Sequence, residues 1–504
     1  MLLDHVATTS AAVAATSARS GKVTALADLL RRCRPDEAAT VVAFLVGEPR
    51  QGRIGVGWAS LRDVGPGEAR ELTLTVGDVD AALTRLAATT GAGSGALRSD
   101  RLATLFRQAT PAEADFLKRL LLGDLRQGAV AGVVTDAVAR AADVPLAAVR
   151  RAAMLTGDVG RTAAIALGEG RPGLAAVGLR VGRPVLPMLA ATAGDVSEAL
   201  TGGTAASVEA KLDGIRIQVH RDGDEVGIFT RNLNDVTTRL PEVVDVAAAL
   251  PVPTFVLDGE LLGVREGTEA TAFQDTMSRF GRDDATTSPT TVRPYFFDVL
   301  HAGGTDLLDE PLDRRRAALR EVAGPYVVDG IVTADAAEAA AFMEATVGAG
   351  HEGVVVKALD SAYAAGRRGK AWHKVKPVHT LDLVVIGVEW GHGRRTGLLS
   401  NLHLGARDPS GGPPVMVGKT FKGLTDELLA FQTDELLARE TGRDGITVFV
   451  RPELVVEIAV DGAQSSTRYP GGVALRFARV RRYRPDKDPA AADTLDAIRA
   501  LLPR

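Results

Sequence analysis

A lysine followed by a glycine turn opens an ordered series of short motifs that runs through the second half of this chain. Lys211 lies in Glu209-Ala210-Lys211-Leu212-Asp213-Gly214-Ile215-Arg216, at the head of an alternating, strand-like run through Ile215, Gln218 and His220. Taken alone, such a segment reads as an ordinary surface salt bridge beside a turn. The motifs downstream of it change that reading. Thr230-Arg231-Asn232 comes next, then Leu257-Asp258-Gly259-Glu260 and Tyr295-Phe296-Phe297-Asp298-Val299-Leu300. His351-Glu352-Gly353-Val354-Val355-Val356-Lys357, Trp372-His373-Lys374-Val375-Lys376-Pro377 and Ala474-Leu475-Arg476-Phe477 complete the series, the last running on to Arg484-Pro485-Asp486-Lys487. One such match arises by chance; the ordered set hardly can.

The set resembles the six motifs of the covalent nucleotidyltransferases, a superfamily of ATP-dependent DNA ligases, RNA ligases and mRNA-capping enzymes. The resemblance implies that Lys211 is the nucleophile. A lysine amine is a weak nucleophile at neutral pH because its reference pKa is about 10.4. Nearby cations and partial desolvation lower that value and free the lone pair. Arg216, Arg231, Lys374 and Lys376 are the candidates for those cations. They would also neutralise the phosphates of ATP, since phosphoryl-type transfer gains mostly from positioning and charge stabilisation. Lys374 and Lys376 are two residues apart, so a strand there would point both to one face.

The same resemblance distributes the remaining roles. Glu209 would meet the adenine amino group, and Glu260 the ribose hydroxyls. Glu352, expected on a strand from Glu352 to Lys357, would help to hold Mg²⁺, with Mn²⁺ as a substitute; a hard cation of this kind takes oxygen ligands from few carboxylates plus phosphate. Asp213 would orient Lys211 or hold a metal-bound water, or it simply caps the turn at Gly214. Phe297 reads as the aromatic that stacks on adenine, or as a core residue of the apolar strand Tyr295 to Leu300. Arg368 matches an arginine near the nucleotide, and its neighbour Arg367 fits equally. Arg476 would engage pyrophosphate while the enzyme is adenylylated.

What the enzyme joins is decided outside this core. The 504 residues, 46% of them hydrophobic, suffice for three domains: 1–185, 186–379 and 380–504. The first reads as helical. Thr110-Pro111-Ala112-Glu113 is a capping box with proline at the first helical position, and Phe116, Leu117, Leu120 and Leu121 form an apolar face ending near Gly123. Asp78 to Leu86 and Pro145 to Met154 are further helical stretches. Arg119, Arg126, Arg140, Arg150 and Arg151 form either a solvated face or a DNA contact. The stretch from Phe116 to Gly128 resembles the helical DNA-binding domain that precedes the core in many cellular ATP-dependent DNA ligases, and its glycines would let backbone amides approach phosphate. Arg183 to Ala190 is similar to the lead-in to their catalytic domain.

The third region has strand candidates at Leu383 to Val388, Val415 to Val417, Thr447 to Val450 and Leu454 to Ala459, and a helix from Asp426 to Arg439. Short strands with interspersed glycines suit a small Greek-key barrel, and the resemblance places an OB-fold there. The expected architecture is therefore multidomain α+β: an all-helical DNA-binding domain, an α+β nucleotidyltransferase (ATP-grasp-like) domain and an OB-fold β-barrel. The barrel would close over ATP and then turn to grip DNA.

Together these readings imply an ATP-dependent DNA ligase of the bacterial three-domain kind, acting on nicked double-stranded DNA in replication, recombination or repair. RNA ligases and guanylyltransferases share the lysine chemistry but generally lack the helical first domain. A non-catalytic DNA-binding scaffold is disfavoured because every reactive position holds a competent residue. The net charge of −4 is no obstacle, because phosphate grip needs only a local basic surface. One cysteine, Cys33, excludes both a disulfide framework and the four-cysteine zinc module of NAD-dependent ligases. No secretory signal and no apolar run of about 20 residues is seen, so a cytoplasmic monomer is expected. The Ala, Arg, Gly and Val richness matches a high-GC bacterial genome.

Overall fold

A computed structural model describes the chain apart from residues 53, 63, 92, 126, 128–130, 201–202, 265–290, 365–367 and 503–504. Arg126, Gly128 and Arg367 therefore lie outside the described residues.

The first region is helical. Its helices span Leu3–Ala15, Arg19–Arg31, Pro35–Val46, Trp58–Leu61, Val76–Ala87, Ser94–Arg107, Pro111–Leu122, Ala131–Ala141, Leu146–Thr156 and Val159–Ala175. The capping box forms as the sequence predicts: the Thr110 amide donates to Glu113 at 2.9 Å and the Thr110 hydroxyl accepts from the Glu113 amide at 3.4 Å. Phe116, Leu117 and Leu120 are buried, Leu121 half-buried, and the helix stops at Gly123, whose φ of +68° favours glycine. Leu26, Leu30, Phe44, Phe106 and Phe116 share one core, each fully buried side chain being worth roughly 1.5–3 kcal/mol. The arginines here are largely engaged within the fold. Arg119 pairs with Asp115 (2.9 Å), Arg150 with Asp136 (3.0 Å), and Arg140 donates to the Thr24 hydroxyl (2.8 Å).

Among the described residues the central region contains ten strands: β1 (Leu189–Thr192), β2 (Ala206–Lys211), β3 (Ile215–Asp222), β4 (Glu225–Thr230), β5 (Thr254–Val264), β6 (Thr291–Ala302), β7 (Thr305–Asp306), β8 (Gly330–Thr333), β9 (Gly353–Ala358) and β10 (Arg368–Val375). They make two five-stranded sheets, ordered β1-β10-β9-β2-β8 and β4-β3-β5-β6-β7. Strand alternation sorts the side chains. On β2, Val208 faces an apolar cluster with Ala339, whereas Ser207, Glu209 and Lys211 share the opposite face. On β3, Ile217 and Val219 enter a core with Phe255, Leu257 and Phe296, leaving Arg216, Gln218 and His220 on the other side. On β6, Phe296 is buried while Tyr295 and Phe297, on the other face, are half-buried.

The C-terminal region adds β11 (His379–Trp390), β12 (Leu399–Ala406), β13 (Val415–Thr420), β14 (Glu440–Asp444), β15 (Thr447–Val450), β16 (Val455–Val460), β17 (Gly462–Ser465), β18 (Val473–Arg476) and β19 (Arg479–Arg484). Strand β11 pairs with β12, β15 and β16, and β16 with β19, so one long strand joins several others of the barrel. Its helix, Asp426–Leu437, ends two residues earlier than the expected Arg439. Among the described residues no helix is long and apolar enough to cross a membrane.

Two sequence expectations shift by one residue. Strand β10 ends at Val375, so Lys374 is in the strand and Lys376 lies just beyond it. Strand β9 begins at Gly353, placing Glu352 immediately before it.

The central region meets its neighbours in different ways. Towards the helices, Met154 and Leu155 pack in one apolar cluster with Val256, Leu300, Leu308 and Trp372. The linker after the last helix is pinned along β3. His220 Nδ1 accepts from the Gly182 amide at 3.1 Å, Gln218 bonds both the amide (3.0 Å) and carbonyl (2.6 Å) of Val185, and Arg216 donates to the Met188 carbonyl at 2.7 Å. Towards the barrel, by contrast, the contacts near Lys211 are ionic: Arg476 reaches Asp213 at 2.8 Å, and Lys376 lies 3.7 Å from Asp461.

Candidate active site

The end of β2 carries Lys211 to the point where four segments meet. Its amine contacts the carboxylate of Glu352, which also receives Lys376 at 2.7 Å and lies 3.8 Å from Arg476. Gly353 makes this convergence possible. Its φ is +139°, and a Cβ there would stand 2.2 Å from the Val375 carbonyl and 3.1 Å from Lys376 Cα, so a side chain would push the Lys376 segment away. Burial by itself would raise the Glu352 carboxyl, but Lys211 and Lys376 outweigh it and hold it below its ordinary value. Arg476 is held charged chiefly by its hydrogen bond to Asp213.

Glu260, opposite Arg216 in the β3–β5 register, behaves differently. Burial pushes its carboxyl up to about 7, despite the opposing pull of Lys211 and Arg216, and Asp258 and Glu352 add to the rise. The site thus holds a firmly ionised carboxylate, Glu352, beside one poised near neutrality.

Arg216 is oriented by neighbours. Asp258, fully buried, receives it twice, at 3.0 Å and 2.6 Å, and its guanidinium lies 5.3 Å from the centre of the Phe297 ring. Burial disfavours the charge, but Asp258 more than offsets this and raises the guanidinium above its ordinary value. Phe297 stands edge-on to Trp372, 6.0 Å between centroids, and the Lys357 ammonium sits over both rings at 4.8 and 4.4 Å.

Glu209 is on the same face as Lys211 but almost wholly enclosed. Ser207 donates to it at 2.7 Å, Arg316 approaches to 3.4 Å and Lys357 contacts its second oxygen. Arg231 is exposed on the turn after β4. Lys374 is half-buried on β10. Arg368 begins β10, and its side chain lies outside the described residues.

Several contributors escaped the sequence reading. Asp258 sits inside a recognised motif yet drew no role, as did Lys357. Arg316 and Tyr363 belong to no motif, and only the tertiary fold brings them to the cleft. Among the described residues no group of three or more His, Cys, Asp or Glu side chains converges as a metal cage. The donor set, Glu352 with Asp213 close by across Arg476, fits a hard cation held by one or two carboxylates and by phosphate oxygens.

Comparison with known proteins is consistent along the chain. The family described as "ATP dependent DNA ligase domain" matches residues 187–376, "DNA ligase N terminus" matches 59–139, and "ATP dependent DNA ligase C terminal region" matches 395–487. A "Probable DNA ligase" of Saccharopolyspora erythraea is 56% identical over 501 residues, covering 99% of this chain and 98% of that one. Another from Rhodococcus jostii is 55% identical over 504 residues and the whole of both chains. Among solved structures, the chain named "Pmar-Lig_PreS3" superposes with a TM-score of 0.64 at 18% identity, over 95% of this chain and 99% of that one, which speaks to the fold. The chain therefore belongs to the ATP-dependent DNA ligase family.

Proposed function

We propose that this ATP-dependent DNA ligase seals 5′-phosphate/3′-hydroxyl nicks in duplex DNA through an AMP adduct on Lys211. The observation that carries the reading is the convergence of Lys211, Glu352, Lys376 and Arg476, from four separate segments, on one small volume.

In the first step the Lys211 nitrogen bonds to the α-phosphorus of ATP and the bond to pyrophosphate breaks. Lys211 must give up its proton to solvent before it attacks, because Glu352, the carboxylate in contact with it, is held too acidic to keep one. Lys374 and Lys376 neutralise the α-phosphate, and Arg476, delivered by the barrel, holds the departing pyrophosphate. Phe297 stacks on adenine, Glu209 and Glu260 meet the base and ribose, and Arg368 lies near the nucleotide. Glu352, with Asp213 nearby, would hold Mg²⁺, which when bound would supply further charge neutralisation on the phosphates. AMP then passes to the 5′-phosphate of the nick, with Arg216 and Arg231 on that side. The 3′-hydroxyl attacks the activated phosphate and AMP leaves.

The division of labour follows the three segments 1–185, 186–379 and 380–504. The first holds DNA, the second performs the chemistry and the third alternates between ATP and DNA. The proposed setting is a cytoplasmic monomer at work in replication, recombination or repair.

Mass spectrometry of the protein incubated with Mg²⁺ and ATP, GTP or NAD tests this. A gain of one AMP on Lys211 from ATP alone, discharged by nicked DNA, is expected. Lys211→Ala should stay folded and take up no nucleotide; an adduct on that variant would move the nucleophile elsewhere.

A further inference from the structure

Arg216 is the centre of a closed hydrogen-bond network whose remaining member, Tyr363, lies outside every motif. Tyr363 belongs to the segment joining β9 to β10, whereas Arg216 and Asp258 are on β3 and β5 of the other sheet. Its hydroxyl donates to Asp258 Oδ2 at 2.6 Å and accepts from the Met188 amide at 3.0 Å. Met188 also accepts Arg216 through its carbonyl, at 2.7 Å. Four groups thus fix one another: the carboxylate accepts from Arg216 twice and from Tyr363 once, and the Met188 backbone accepts from Arg216 and donates to Tyr363.

The surroundings keep this network dry and single-valued. Asp258 is fully buried and Tyr363 is 2% exposed. Tyr363 cannot drift, because its amide donates to the Leu308 carbonyl at 2.8 Å and its ring stands edge-on to Trp372 at 6.0 Å. Burial, reinforced by Asp258, pushes the phenol well above its ordinary value, so it remains a proton donor. The Arg216 side chain keeps 14% of its surface open. Asp258 and Met188 take three of its five N–H groups and the Tyr363 hydroxyl lies 3.5 Å from Nη2, so few donors remain for an anion.

From this geometry we propose that Tyr363 is a positioning residue for Arg216, setting the angle at which its free N–H groups meet the phosphate of the nick. The proposal rests on the assignment of Arg216 to the 5′-phosphate side of the nick. The Tyr363 hydroxyl ties the β9–β10 segment to β5 and to the residue just before β1. Its loss leaves the Met188 amide unpaired and frees Asp258 to rotate with Arg216 attached. A phosphate clamp displaced by a fraction of an ångström loses rate more than affinity.

The test is single-turnover sealing of a nicked duplex by pre-adenylylated enzyme, comparing wild type, Tyr363→Phe, Arg216→Lys and the double variant. Tyr363→Phe keeps the ring, and circular dichroism at the assay temperature verifies folding. We expect Tyr363→Phe to slow sealing about tenfold at saturating DNA with little change in DNA affinity. In the Arg216→Lys background the same change should cost nothing further, a non-additivity that a general loss of stability would not produce. A crippled Arg216→Lys beside an unaffected Tyr363→Phe, or equal slowing in both backgrounds, overturns the proposal alone. Wild-type sealing by Arg216→Lys overturns the assignment of Arg216 and this proposal with it.

Discussion

The catalytic region is bordered by two seams, one built around an apolar cluster and the other, near Lys211, from ion pairs. On the helical side Met154 and Leu155 share an apolar cluster with Val256 and Leu300, the linker is bonded along β3, and Arg151 clasps Asp309 at 2.5 and 2.6 Å. On the barrel side the contacts around Lys211 are the ion pairs of Arg476 with Asp213 and Lys376 with Asp461. Apolar packing is lost only by exposing surface to water, whereas a half-exposed ion pair exchanges its partner for water or another anion at small cost. The first seam is made to persist. The second can be exchanged at small cost.

The largest effect should come from breaking the persistent seam. Leu155→Ala is expected to lower unfolding free energy by about 2–5 kcal/mol, measured by urea denaturation. A loss below about 1 kcal/mol would show that the helical side is no firmer than the other. Next, Arg476→Ala should slow self-adenylylation by roughly 10²-fold or more while shifting stability by less than about 1 kcal/mol. Wild-type release of pyrophosphate by that variant would remove the barrel from the first step.

Ionic strength separates the seams without mutation. Raising salt from 50 to about 500 mM should loosen the barrel, seen by small-angle scattering, and leave the helical seam unchanged. Nick binding should weaken steeply over the same range through counterion release. A smaller effect involves pH. Glu260 is raised in the fold to about 7 from an ordinary 4.5, so its stabilising contribution is complete below the lower value and is lost as pH rises through about 7. Glu260→Gln should therefore flatten the decline in melting temperature between pH 5 and 8; an unchanged slope would show that the carboxyl is not poised there. Smallest of all, Thr110→Ala removes a helix cap far from both seams and should cost about 1 kcal/mol with normal sealing.

Local chemistry made much of this molecule legible in advance. The capping box at Thr110 needs only four residues, and the helix it starts appears where the sequence places it. Strand β15 runs from Thr447 to Val450 as its β-branched residues imply. The residues that converge around Lys211 belong to motifs contiguous in the chain. What could not be read depends on distance. Asp298 and Arg315 form a pair with both side chains fully enclosed, at 2.7 and 3.0 Å, yet nothing in a tract of arginines at 314–316 marks the middle one as buried and the next as a neighbour of Glu209. Tyr363 is similarly silent, since its partners come from three other segments. The covering of Glu209 by Lys357 also depends on strand register, which sets Ser207 opposite Lys357.

The bonds from Arg216, Gln218 and His220 to the linker occupy alternate positions of a single strand. A slip of one residue in the pairing of β3 would turn all three away from the linker at once and swing Ile217 and Val219 out of their core. The linker can dock only on a correctly registered strand, and Arg216 faces the cleft only in that register. Attachment of the helical segment and orientation of Arg216 are therefore two results of one strand register, and neither can be kept if the other is lost.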